Sequence, residues 1–211
     1  MKTPKLFIRN SLLIVLALIL LSCNCCKNKA PYQKVCDVMT AIKSSYVGLY
    51  GVIYPYVPND KMGQFCEINR KVNQISDASV KILKTWCENK GTLNSKDIMV
   101  NVHSLHESIM AMENLAKMND TVKLYTNITL TVLESISPLI TDITIKNDTV
   151  IDCQPLDSLL IINVKCPKTR SFAGTSISEN NKRLKASLDE LIPMLSGEDA
   201  RKLKTLRNEL K

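Results

Sequence analysis

Residues 95 to 116 read SKDIMVNVHSLHESIMAMENLA. Ile98, Val102, Leu105, Ile109, Met112 and Ala116 recur at gaps of three and four. That spacing stacks side chains on one face of an α-helix. Asn94 or Ser95 can cap its first turn, a side-chain oxygen accepting from a free backbone amide. A helix with one apolar face must bury that face against a neighbour, so this stretch predicts a core made by helix packing.

The same period extends in both directions. Upstream, Phe65, Ile68, Val72, Ile75, Ser79, Ile82 and Trp86 form a stripe within 61 to 86, with Gly91 suited to a left-handed stop. Before that, Val35, Val38, Met39, Ile42, Tyr46, Leu49, Ile53 and Tyr56 predict a helix that Pro55 and Pro58 end. Downstream, Val122, Tyr125, Thr129, Val132, Ile136 and Leu139 suit a helix, although Ile128, Leu130 and Val132 alternate as in a strand. Some 18 residues without glycine favour the helix, and Pro138 should kink or end it.

From 141 the pattern changes. Ile143 and Ile145 alternate, 146 to 149 resemble a turn, Val150-Ile151 follows, and 158 to 164 is a second β-friendly run. After a polar loop, Leu184, Leu188, Leu191 and Leu195 resume a helical stripe that Pro193 breaks. Ser196 to Asp199 has the form of a capping box. The expected fold is mainly α: an antiparallel bundle of four to six helices, with a small β-hairpin or extended insertion around 141–166.

The N-terminus predicts the compartment. Lys2, Lys5 and Arg9 precede the apolar run 11 to 21, which breaks at SCNCC, residues 22 to 26. A basic head, a short apolar core and a small-residue exit make an export signal. The core is shorter than the roughly 20 residues of a membrane span. Three fates compete. A general peptidase cuts near Cys25, leaving a signal peptide 1–25 and a single extracytoplasmic helical domain 26–211. Alternatively, Leu20-Leu21-Ser22-Cys23 resembles the bacterial lipoprotein signal box, which implies lipidation of Cys23. The third fate is retention as an uncleaved anchor. Cysteine parity leans towards secretion: of eight cysteines, a cut after Cys25 leaves six, an even number.

Among the cysteines of the domain, helix geometry restricts pairing. Cys66 and Cys87 on one straight helix stand roughly 30 Å apart, far beyond the ~6 Å of bridged Cα atoms. In an antiparallel hairpin the start of the first helix faces the end of the second, so Cys36–Cys87 is the preferred bridge. Cys66 then turns to Cys153, Cys166 or the N-terminal cysteines. Asn119, Asn127 and Asn147 open glycosylation sequons, about as many as chance delivers in a chain this rich in Asn, Ser and Thr.

The net charge of +8 falls to +5 once Lys2, Lys5 and Arg9 leave with the signal. The remaining lysines are mixed with acids, which does not fit nucleic-acid binding. The membrane is reached only through the possible anchor at Cys23. Chemistry-bearing motifs are sparse. His103, His106 and Glu107 run H-x-x-H-E, which lacks the zinc-protease order and an obvious further ligand, so no metal, cofactor or catalytic residue is assigned. Tyrosines suit interfaces, being apolar at one end and polar at the other. Tyr50 and Tyr54 leave the apolar stripe of the first helix and are the binding candidates. The layout is similar to that of helical cytokines, without any motif of that family. The expected function is a secreted, disulfide-stabilised protein that binds a protein partner. The alternatives are an envelope-tethered lipoprotein and a small-ligand carrier or enzyme.

Overall fold

The structure, a computed structural model, describes residues 31–140, 143–146, 156, 161–166 and 177–210. It is mainly helical. Helix α1 is Pro31–Ile53, followed by short 3-10 turns at Tyr54–Tyr56 and Asn59–Lys61. Helix α2 is Met62–Asn89, α3 is Ser95–Leu115, α4 is Asp120–Glu134 and α5 is Ser137–Ile140. Helix α6 is Ile177–Leu191, passing through a 3-10 turn at Ile192–Met194 into α7, Gly197–Glu209.

The ends follow local chemistry. Pro55 sits in the 3-10 turn that closes α1. Asn94 caps α3, its side chain accepting from the Lys96 amide at 3.1 Å. Asn119 caps α4 in the same way, accepting from Val122 at 3.0 Å. Helix α4 stops at Glu134, and α5 restarts with Pro138 in its first turn, where the missing N–H leaves no helical bond unmade. Ser196 stands at the N-cap of α7, but its side chain makes no capping bond, so only the position of the expected capping box is realised.

Helix α2 ends in a left-handed turn, with φ of 59° at Lys90 and 85° at Gly91. The Trp86 indole donates to the Gly91 carbonyl at 2.9 Å and braces it. This turn decides where the β-friendly run goes. Thr144–Ile145 pairs antiparallel with Gly91–Thr92 across the chain, Gly91 opposite Ile145 and Thr92 opposite Thr144. The first half of the expected 141–166 insertion thus finds its strand partner at the end of α2. Val150 and Ile151, expected as the second arm of a hairpin, lie outside the described residues.

Packing centres on α1, which lies along α4 and α6, while α2 lies along α3, and α4 also meets α3 and α7. Tyr46, Leu49, Tyr50 and Ile53 of α1 are fully buried, and Ala41, Ser45 and Val52 are buried off the expected stripe. The helix is therefore enclosed on more than one face. Tyr56 is the exception to its predicted stripe, at 44% exposure. Close approach of α1 and α4 needs Gly48, where an added Cβ would stand 2.8 Å from Cε1 of Tyr125. The α3 stripe is buried as its spacing predicts, from Ile98 to Met112, and Leu184, Leu188 and Leu191 do the same for α6. Pro31–Lys211 forms one unit.

Helix α2 departs from expectation. Its buried face is Phe65, Asn69, Val72, Ser76, Ser79, Val80, Leu83, Trp86 and Cys87, while Ile68, Ile75 and Ile82 are only partly buried. The real face is turned about one residue from the apolar stripe. Two polar side chains, Asn69 and Ser76, are buried where isoleucines were expected.

Candidate binding surface

Those polar residues hold a strap. Residues 161–166 cross α2, with Ser76 Oγ accepting from the Ile162 amide at 2.8 Å. The Asn73 carboxamide grips both main-chain polar groups of Val164. Its Nδ2 donates to the carbonyl at 2.9 Å and its Oδ1 accepts from the amide at 3.3 Å. Asn69 Nδ2 donates to the same carbonyl at 2.7 Å. Finally, Cys166 is disulfide-bonded to Cys66, 100 residues away in sequence. From Ser76 to Cys66 is ten residues of helix, roughly 15 Å of rise. The four steps from 162 to 166 reach at most about 14 Å. The strap is therefore close to fully extended and runs counter to α2. Exposure alternates accordingly: Ile162 is buried, Asn163 and Lys165 are exposed, and Val164 is half-buried. A strand-like sequence is here satisfied by helix side chains at i, i+4 and i+7.

The disulfide corrects the preferred pairing. Cys36 is a free thiol, so Cys36–Cys87 is not formed. Cys87 is disulfide-bonded, and with Cys66 joined to Cys166 its partner is a cysteine outside the described residues. Cys23, Cys153 and the other N-terminal cysteines fall there. Burial pushes the Cys36 thiol up, and the charge of Asp37 adds to this against an opposing hydrogen bond from Tyr32. A helix-end match put Cys36 opposite Cys87, but that end is filled by rings: Tyr32 lies 6.4 Å from Trp86, centroid to centroid.

The two binding tyrosines are placed inside the protein. Tyr50 is fully buried and Tyr54 is 4% exposed. They stack at 5.9 Å and both pack on Phe65 of α2, at 5.2 and 6.1 Å. The Tyr50 hydroxyl reaches Cys166 Sγ at 3.4 Å, beneath the strap. Phe65 at the start of α2 covers both rings, at the end of α1 and in the turn after it, so neither offers a docking surface. Tyr46 completes the layer, its hydroxyl donating to Asn69 Oδ1 at 2.8 Å. Asn69 therefore links α1 to the strap. Burial, with neighbouring tyrosines adding, holds the Tyr46 and Tyr50 phenols above their usual range.

The remaining candidates do not converge. His103 faces Glu107 at 3.4 Å on the surface of α3, while His106 faces Glu134 of α4 at 3.7 Å. Among the described residues no group of His, Cys, Asp and Glu gathers as a metal site. Asn127 is exposed on α4. Asn119 has its Nδ2, the atom a glycan would use, buried against the cap it forms. Asn147 lies outside the described residues.

Two other surface features stand out. The Lys117 amide donates to the Tyr56 carbonyl at 3.0 Å, which joins the α1–α2 and α3–α4 connections at one end. Tyr56 and, 52% exposed, Met118 flank that contact. A cleft of about 540 Å³ opens between Leu124 and Tyr125 of α4, Asn181 of α6 and Leu210. Its floor carries the Tyr125 hydroxyl donating to Asn181 Oδ1. Among the described residues no helix is long and apolar enough to cross a membrane.

No protein-family model matches the chain, and no curated protein or solved structure is significantly similar to it.

Proposed function

We propose that this protein is exported, matures by loss of residues 1–25, and acts as a disulfide-stapled helical module that binds a protein partner. The observation that carries this reading is the Cys66–Cys166 staple, with Cys87 also oxidised. Disulfides of this structural kind belong to oxidising compartments, and a basic head with a short apolar core is the route there. The helices form an antiparallel bundle in this reading. The ring contacts support it: Tyr32 at the start of α1 meets Trp86 at the end of α2, and Tyr50 near the end of α1 meets Phe65 near the start of α2. Exposed Tyr56 and Met118 and the outward edge of the strap are the surfaces open to a partner.

Mapping the mature N-terminus by mass spectrometry tests it. A cut at Cys25–Cys26, with an unmodified chain recovered outside the cell, is the expected result. The second reading, an envelope lipoprotein, rests on Leu20-Leu21-Ser22-Cys23 and requires an acylated Cys23 in the membrane fraction. An intact Met1 on a cytoplasmic chain with reduced Cys66 and Cys166 overturns both.

A further inference from the structure

We propose that the outward edge of the strap is a docking site for an extended acidic segment of a partner protein, added as a neighbouring β-strand. In an extended chain the N–H and C=O of one residue point to the same side, and those of the next residue point to the other. Ile162 directs its N–H at Ser76 of α2, and Val164 directs both its N–H and its C=O at Asn73 and Asn69. Asn163 and Lys165 therefore direct theirs away from α2. Both residues are exposed, and among the described residues their main-chain groups have no hydrogen-bond partner. The result is a short, open strand edge.

Two features make that edge a receptor. It is held in advance by the Cys66–Cys166 bond and the Asn73 grip, so an incoming peptide orders only itself. Main-chain pairing to such an edge is a known mode of peptide capture. Charge then selects the occupant. Lys165 stands on the edge, and the whole chain carries +8, or +5 without its first 25 residues. Like charge disfavours a second copy and favours an acidic strand.

This inference rests on the protein-binding reading above and names its surface. The test uses the oxidised full-length mature protein, isotope-labelled, and a blocked peptide alternating Val and Glu. The peptide should bind saturably and protect the amides of Asn163 and Lys165 from exchange. Asn163→Pro removes one edge donor and leaves every strap bond in place, because none of them uses the Asn163 amide. It should weaken binding by about tenfold, as should N-methylation of alternate peptide residues. The proposal is overturned by no binding at about 1 mM peptide. It is equally overturned by binding that Asn163→Pro leaves unchanged, or by sedimentation showing a dimer that this variant dissolves, which would assign the edge to self-pairing. If the edge fails while the N-terminus is processed as expected, the binding module uses another surface. An unprocessed, reduced chain sinks both readings.

Discussion

Asn73 is the most informative single position, because one carboxamide satisfies both polar groups of Val164. Asn73→Ala removes two hydrogen bonds, at 2.9 and 3.3 Å. A buried hydrogen bond contributes about 1 kcal/mol net, so the two together are worth roughly 2 kcal/mol. The losses are unequal. The Val164 carbonyl keeps its bond from Asn69 at 2.7 Å, whereas the Val164 amide loses its partner. Val164 is half-buried, so water reaches part of the deficit and the expected loss is about 1–2 kcal/mol. In a domain of this size that lowers the melting temperature by roughly 2–8 °C. Urea denaturation followed by far-ultraviolet circular dichroism measures the stability. Native-state hydrogen exchange reads the Val164 amide, which should lose protection while amides in the middle of α3 follow only the global change. Asn73→Asp provides the control. It retains the acceptor for the Val164 amide but places a carboxylate against the carbonyl, so amide protection survives better than in the alanine variant while stability still falls. A loss under about 0.5 kcal/mol, with Val164 protection intact, would refute the reasoning. The strap would then be held by its disulfide and by the Asn69 and Ser76 bonds, with Asn73 contributing nothing.

Three further outcomes follow from the packing. Peptide mapping under oxidising conditions should join Cys66 to Cys166 and leave Cys36 as a thiol that alkylates slowly in the native state; finding Cys36 in a bridge would contradict the structure. Gly48→Ala forces a methyl group to 2.8 Å from the Tyr125 ring and should cost about 1–3 kcal/mol by urea titration, whereas Gly63→Ala meets nothing within 4 Å and should not destabilise. Burial raises the Tyr125 phenol to about 12 and lifts Tyr46 and Tyr50 as well. An acid whose folded pKa is raised stabilises the fold fully below its unfolded value near 10 and loses that contribution as pH climbs through the folded value. Stability should hold steady to about pH 9.5 and decline from 10 to 12, with tyrosinate absorbance rising as the protein unfolds. A full six-tyrosine titration near pH 10 with the fold intact would contradict this.

The stretch from 95 to 116 was legible because its burial has a single cause. Ile98 to Met112 bury apolar surface against neighbours, and that demand writes a period of 3.6 into the residue types. Helix α2 has two causes superposed. Its face must fill the core with Phe65, Val72 and Leu83, and it must also hydrogen-bond a strap arriving from 86 to 95 residues away. The second demand places Asn69, Asn73 and Ser76 on the inner side, and a hydrophobicity stripe counts them as outside. Reading the isoleucines at 68, 75 and 82 as the centre of the face was the consequence. A signal did exist: two amides and a serine at i, i+4 and i+7 beside an apolar face are expensive to bury without partners. They lie on the helix that carries Cys66, and the β-friendly run 158 to 164 is followed two residues later by Cys166. The binding tyrosines failed for a related reason. A one-face model of α1 left Tyr50 and Tyr54 outside, but α1 is enclosed on several sides, and how many neighbours a helix has is not written in its own period. The same enclosure gives the strap its support. Tyr46 reaches Asn69 and Tyr50 reaches Cys166, so the tyrosines act from beneath the surface on which a partner would sit. Removing either hydroxyl would loosen the strap from inside while leaving its outward edge chemically unchanged.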